Sequence, residues 1–231
     1  MSSLARIPYC ACNPRRSTLP HVRFTSVWNL SQANRRMLPW VCMATAPSLL
    51  LTQQQYVELD ERSERPLEYV DGEVFEIESS TANHAAIVAN LTIAVGNRLK
   101  DTACRPFATA VRVRVPSGRY LHPDLVLVCG KKELLPDKSL VNPTVIFEVL
   151  SDSTAGFDFG RKNQLYRSIP SLNEYILIEQ NQAWAQRWFR QAGSWRVDEF
   201  SGLDANLPIA ALGCEIPLSE IYGGVDFEQE A

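Results

Sequence analysis

Two apolar runs limit what this chain can fold into. "LVLVC" (125–129) and "VIFEVL" (145–150) are apolar on both faces. That is the pattern of central strands covered by helices on either side, not of a sheet with one wet face. Each run also carries an acid that the pattern does not explain: Asp124 heads the first, and Glu148 sits inside the second. A buried carboxylate is costly unless it is paired, protonated or bound to metal. Two of them on neighbouring strands suggest a site.

The segments around these strands read as an organised α/β unit from about residue 49. Thr52 with Gln55 three residues on is a capping-box pattern and predicts a short helix to about Leu59. "LEYVDGEVFEI" predicts a hairpin, with Asp71-Gly72 supplying the positive-φ turn. Ser80 or Thr81 caps a helix whose apolar stripe is Ile87, Val88, Leu91, Val95 and Leu99, with His84 on the same stripe. "AVRVRV" alternates, predicting a half-buried strand with Arg112 and Arg114 on the polar face. Ser117-Gly118 then turns the chain into the strand that carries Asp124. After Glu148, "SDSTAGFD" is a loop with several possible caps, followed by a helix that Pro170 stops near Ile169. "EYILIE" returns to the sheet, and strand, crossover helix and strand in succession imply a parallel pair. A last hairpin turns at Ala192-Gly193, with Trp184, Trp188 and Trp195 expected to cover a sheet face.

Composition narrows the class. In 231 residues, 45% apolar and 21% charged, no apolar run approaches the 18 or more that a membrane helix needs, and one globular domain is expected. Residues 1–42 hold six arginines and no acid, which leaves 17 basic against 26 acidic groups from residue 43 onward. This leader either resembles an organellar transit peptide or precedes the true start at Met43. It is set apart from a single domain spanning 43–231. The acidic remainder excludes a broad electrostatic grip on nucleic acid, so any such contact must be local. The six cysteines show no paired spacing for zinc and no disulfide framework, so a reducing cytoplasm is expected.

Several residues could carry chemistry. If the strands are adjacent, Asp124 and Glu148 converge, and a cation between them would relieve their repulsion. Mg²⁺, with Mn²⁺ as a substitute, fits two carboxylates and keeps waters for a phosphate. Lys162 shares a helix face with Leu165, Tyr166 and Ile169, where a lysine is unusual, and a cation there could steady an attacking water or a phosphate. Each residue also has a plainer reading. Asp124 can cap the turn after Pro123, Glu148 can form a structural ion pair, and Lys162 can snorkel at a helix edge. Tyr166 can pack in the core or contact a substrate backbone. His84 can be a hydrogen-bonded core histidine, and His122 an exposed one. Glu68 and Glu73 flank the hairpin turn; one could complete a metal shell, and alternation does not say which.

Taken together, "LEYVDGEV", "NHAAIVANL", "YLHPDLVLV", "VIFEVLSDSTAGFDFGRKNQLYRSIPSLNEYILIE" and "IPLSEIY" resemble the Uma-two family of the PD-(D/E)XK restriction-nuclease superfamily, over about residues 49–222. The resemblance implies a restriction-endonuclease-like core: a central mixed sheet flanked by helices, here with an extra C-terminal hairpin. It also implies a divalent metal and hydrolysis of a phosphodiester bond in DNA. Asp124 and Glu148 would be the metal ligands, and Lys162 the superfamily lysine relocated to a helix, with His84 and one hairpin glutamate in support. The position two after Glu148 is Leu150, where the superfamily pattern has lysine. Cutting both strands of a duplex calls for two sites, hence an expected homodimer, with no membrane and no organic cofactor involved. The competing readings are a catalytically silent binding module on the same fold and a glycoside hydrolase using two carboxylates without metal.

Overall fold

The protein, seen in a computed structural model, is described for residues 50–77, 80–108, 111–151, 156 and 158–227; the leader 1–42 and most of the loop after Leu150 lie outside these residues. Helix α1 (Gln53–Asp60) starts at Thr52, whose side chain and that of Gln55 form the expected reciprocal capping box. Strands β1 (Leu67–Val70) and β2 (Glu73–Glu76) pair across Asp71 (φ 55°) and Gly72 (φ 90°). At Gly72 a Cβ would come within 2.7 Å of Leu50 Cβ, so space as well as conformation demands glycine. Thr81 caps α2 (Ala82–Asn97), which buries Ile87, Val88, Leu91, Ala94 and Val95. Strand β3 (Cys104–Ala108) follows, then the short strands β4 (Val113–Arg114) and β5 (Tyr120–Leu121).

Strands β6 (Leu125–Cys129) and β7 (Val145–Leu150) are the centre of the molecule. Helix α3 (Asn163–Arg167), entered through a π-helical turn at Asp158–Lys162, links β7 to β8 (Glu174–Glu179). The hairpin of β9 (Trp184–Gln191) and β10 (Ser194–Ser201) extends the sheet, and β11 (Asn206–Ile209), β12 (Cys214–Pro217) and α4 (Leu218–Ile221) close the chain. The main sheet has six strands in the order β10-β9-β8-β7-β6-β3, and the second sheet has the order β2-β1-β5-β4. β7 and β8 run parallel and the other neighbours in the main sheet antiparallel, so the sheet is mixed, as the strand–helix–strand succession predicts.

Both faces of the main sheet are covered. On one, Leu125, Leu127, Phe147 and Ile176 pack under α2, the β11–β12 ribbon and α4. On the other, Val126, Ile146, Leu150 and Leu177 pack with Tyr166 and Ile169 of the α3 region and with Val70, Val113 and Leu121 of the second sheet. The alternating run of β7 therefore aims Ile146, Glu148 and Leu150 at α3. Trp184, Trp188 and Trp195 pack against this same cluster, as expected.

Three readings are corrected. The strand after Ser117-Gly118 does not continue to Asp124: it ends at Leu121, and the chain crosses from one sheet to the other through His122-Pro123-Asp124, where Pro123 has no N–H to extend a ladder. Arg112 does not face water. It donates to Asp60 Oδ2 at 2.7 Å and Ser139 Oγ at 3.1 Å, with its guanidinium 5.7 Å from the Tyr120 ring centre. Its strand was expected to be half wet, but α1 covers the outer side. Finally, Cys104 and Cys129, though widely spaced in sequence, are joined in a disulfide because β3 and β6 set them directly opposite each other.

That disulfide closes a loop with a sequence separation of 25 residues. Its reduction should lower the unfolding free energy by about 3 kcal/mol on chain-entropy grounds. Urea melts with and without a reductant should show the shift, and a Cys104→Ser/Cys129→Ser variant should match the reduced protein and no longer respond to reductant.

Candidate active site

The π-helical turn is the local feature on which the site is built. It brings Asp158 and Lys162, four residues apart, onto the face that also presents Tyr166 to the sheet. Such turns recur at functional positions because they re-aim side chains without ending the helix. Beneath them, Glu148 projects from the middle of β7. Lys162 Nζ lies 3.3 Å from Glu148 Oε1, 2.9 Å from Glu68 Oε1 and 3.0 Å from Asp158 Oδ1. All four side chains are buried, the lysine at 7% exposure. The Tyr166 hydroxyl donates to the same Glu148 oxygen at 3.0 Å.

Asp124 joins from the edge of this cluster. The register Leu125↔Phe147 carries it to a position opposite Glu148, and its Oδ2 accepts the Val149 N–H at 2.8 Å. Beyond it, His84 Nε2 lies 3.4 Å from Asp124 Oδ2, placed there because Thr81 starts α2 one turn below. The structure thus brings together Asp124, Glu148, Lys162, Tyr166, His84 and, of the two hairpin glutamates, Glu68. Glu73 is half-buried on β2, across from Val70. The plainer readings of Lys162 as a snorkelling side chain and of His122 as exposed are corrected. The Lys162 ammonium is held by three carboxylates rather than reaching to water, and the His122 side chain is 6% exposed beside Asp60.

Asp158 was not singled out from the sequence, although its spacing from Lys162 was a usable signal. The choice of Glu68 was not available at all, because it depends on how the second sheet docks. His122 contributes there through its backbone: its N–H donates to Glu68 Oε1 at 3.2 Å, orienting that carboxylate.

The electrostatics follow from burial and an excess of acids. Burial pushes the Glu148 carboxyl well above the usual carboxylate range; Lys162 opposes this, while Asp158, Asp124 and Glu68 add to it. Burial alone would lower Lys162, but the charges of Asp158, Glu148 and Glu68 outweigh it and hold the ammonium well above its ordinary value. For His84 the bond to Asp124 and its charge likewise overcome burial, and the net shift is upward. Glu68, Asp124, Glu148 and Asp158 are thus balanced by one lysine and one histidine. A further cation is the natural complement of this set. Its donors are hard oxygens, and a magnesium-like ion takes one or two carboxylates and retains its waters, so Asp124 and Glu148 fit such an ion. Among the described residues no three His, Cys, Asp or Glu side chains form a ready-made metal cage.

Residues 53–219 match the Uma2 family model, whose description reads "Putative restriction endonuclease". Two uncharacterized proteins of Synechocystis sp. are similar to the chain. One, sll1609, is 29% identical over 170 residues, covering 71% of this chain and 96% of its own length. The other, slr1290, is 25% identical over 185 residues, covering 79% and 97%. The fold is similar to the crystal structure of "a putative nuclease belonging to DUF820" from Anabaena variabilis, with a TM-score of 0.62 at 16% identity over 74% of this chain and 97% of that one. At that identity the likeness speaks for the fold, a central mixed sheet with few helices.

Removing the lysine should expose the charge imbalance. Lys162→Met leaves Glu148, Glu68 and Asp158 buried without their cation, and the unfolding free energy at neutral pH should fall by about 3 kcal/mol. The sign of the pH dependence is set by Glu148. Its folded-state value is raised well above the ordinary one, so its stabilising contribution is full below the ordinary value and is lost as pH rises through the folded one. The deficit of the variant should therefore shrink on acidification, as read by urea melts across pH. A deficit that stays constant with pH would show that lost packing, not charge, sets the cost.

Proposed function

The chain belongs to the Uma2 family, and from that premise we propose that it is a metal-dependent nuclease that hydrolyses phosphodiester bonds in DNA. One observation carries this reading: a lysine buried among carboxylates at the sheet position where Asp124 and Glu148 meet. A structural ion pair would need one acid for Lys162. Three acids, with Asp124 alongside, suit a site that also takes a cation.

In this reading Asp124 and Glu148 hold the divalent ion, Mg²⁺ or Mn²⁺ in its place. Such an ion, when bound, supplies a Lewis acid beside the scissile phosphate. The chain's own residues do the rest. Lys162, kept charged by Glu68 and Asp158, is positioned to donate to a phosphate oxygen or an attacking water. Tyr166 orients the Glu148 carboxylate, and His84 and the Val149 N–H fix that of Asp124. We assign the activity to one domain within residues 43–231, with 1–42 outside it, and a homodimer would present the two sites needed to cut a duplex. No described helix is long and apolar enough to cross a membrane. We propose the cytoplasm as its compartment, although the Cys104–Cys129 bond pulls toward a more oxidising one.

A silent binding module is the second reading. Leu150 occupies the place of the superfamily lysine, so catalysis depends wholly on Lys162 acting from the helix.

The test is cleavage of supercoiled and linear DNA by the full chain in Mg²⁺, Mn²⁺ or EDTA. Activity should require the metal and fall at least about a hundredfold in Asp124→Ala and Lys162→Ala. Folded protein that cleaves nothing in either metal would transfer the assignment to the silent module.

A further inference from the structure

A cleft of about 330 Å³, within the size range of ligand sites, opens at His122, two residues before Asp124. Arg112, His122, Phe107, Lys132 and Lys138 are among its walls. A second hollow of about 180 Å³ shares Phe107 and Lys132 with it and adds Arg105, so the two form one groove along the edge strand β3. The link to the acid cluster is short. His122 lines the cleft with its ring while its backbone N–H holds Glu68, the partner of Lys162.

Three features of this groove are unexplained by the fold. Its walls carry Arg105, Arg112, Lys132 and Lys138 against Asp60 and Glu61, a net positive charge opposite to that of the chain from residue 43 onward. Asp60 is engaged by Arg112 at 2.7 Å, whereas Arg105, Lys132 and Lys138 make no ion pair among the described residues. Phe107 offers a half-buried aromatic face at the groove floor, with Lys132 Nζ 5.5 Å from its ring centre. His122, its side chain 6% exposed, turns Nε2 to Asp60 Oδ2 at 3.6 Å, and its buried Nδ1 has no hydrogen-bond partner. A buried ring nitrogen of this kind is normally satisfied, so Nδ1 is a polar atom the fold leaves without a partner.

We propose that the groove holds an unpaired nucleic-acid strand leading to the acid cluster. Arg105, Lys132 and Lys138 contact successive phosphates, and Phe107 stacks a base. A cationic track with an aromatic platform is the general means of holding single strands. This rests on the nuclease reading and supplies what it lacks, a place where an acidic chain can grip a polyanion.

The test is fluorescence anisotropy of the full chain with a labelled oligothymidylate and with a mixed-sequence duplex, in EDTA so that nothing is cut. The wild type should prefer the single strand. Lys132→Ala/Lys138→Ala, both exposed positions, should weaken it about tenfold and reduce the slope of log affinity against log salt by about 1.4. Phe107→Leu should weaken it about five- to tenfold in protein whose circular dichroism matches the wild type. Where cleavage is measurable, these variants should raise KM and spare kcat. Groove variants that bind as the wild type does, or a wild type that prefers duplex or binds neither, would overturn the groove. Cleavage with unchanged KM in the variants would sink the groove and leave the nuclease. Groove-dependent binding by a protein that never cleaves would do the reverse.

Discussion

The ammonium of Lys162 is the point on which the arrangement of this molecule depends. A glutamate in the middle of a fully covered strand is tolerable only with a partner, and Lys162 is that partner at 3.3 Å. The same nitrogen meets Glu68 from the second sheet and Asp158 from the π-helical turn. One buried charge therefore ties the central strand, the crossover helix and the hairpin sheet together. The apolar contacts between these layers are numerous but non-directional; this cluster is directional and sets how the layers meet.

The acids gathered around that lysine outnumber the cations, and this has a consequence for anything that approaches. A phosphate would meet net negative charge at the cluster and net positive charge along β3. The two regions are separated by His122, whose backbone faces one and whose ring faces the other. A bound cation would reduce the repulsion at the first, and the basic wall would favour approach along the second. Charge is thus distributed in two poles, which the overall balance of the chain conceals.

How far all this was legible depended on whether a residue broke a local pattern. Glu148 interrupts an apolar run, Lys162 interrupts an apolar helix stripe, and Asp124 stands where a strand begins; each anomaly is visible in one dimension. The capping box at Thr52, the Asp71-Gly72 turn and the parallel β7–β8 pair were legible for the same reason. Arg112 was misread because strict alternation describes one strand and says nothing about α1 lying over its polar side. The Cys104–Cys129 bond escaped notice because spacing along the chain is unrelated to the register of β3 on β6. His122 was misread because a His-Pro-Asp stretch resembles a surface turn, whereas it crosses between two sheets.

Sequence by itself determined the elements and the anomalous residues within them: which strands are covered on both faces, which helix carries a lysine inward, and which positions need glycine. These follow from hydrophobic periodicity and turn chemistry, which act over a few residues. Tertiary structure alone decided that Glu68 is the glutamate facing Lys162, that Asp158 completes the cluster, and that Arg105, Arg112, Lys132 and Lys138 line one groove. Those outcomes depend on how two sheets and a helix dock, and docking is governed by contacts between residues far apart in the chain.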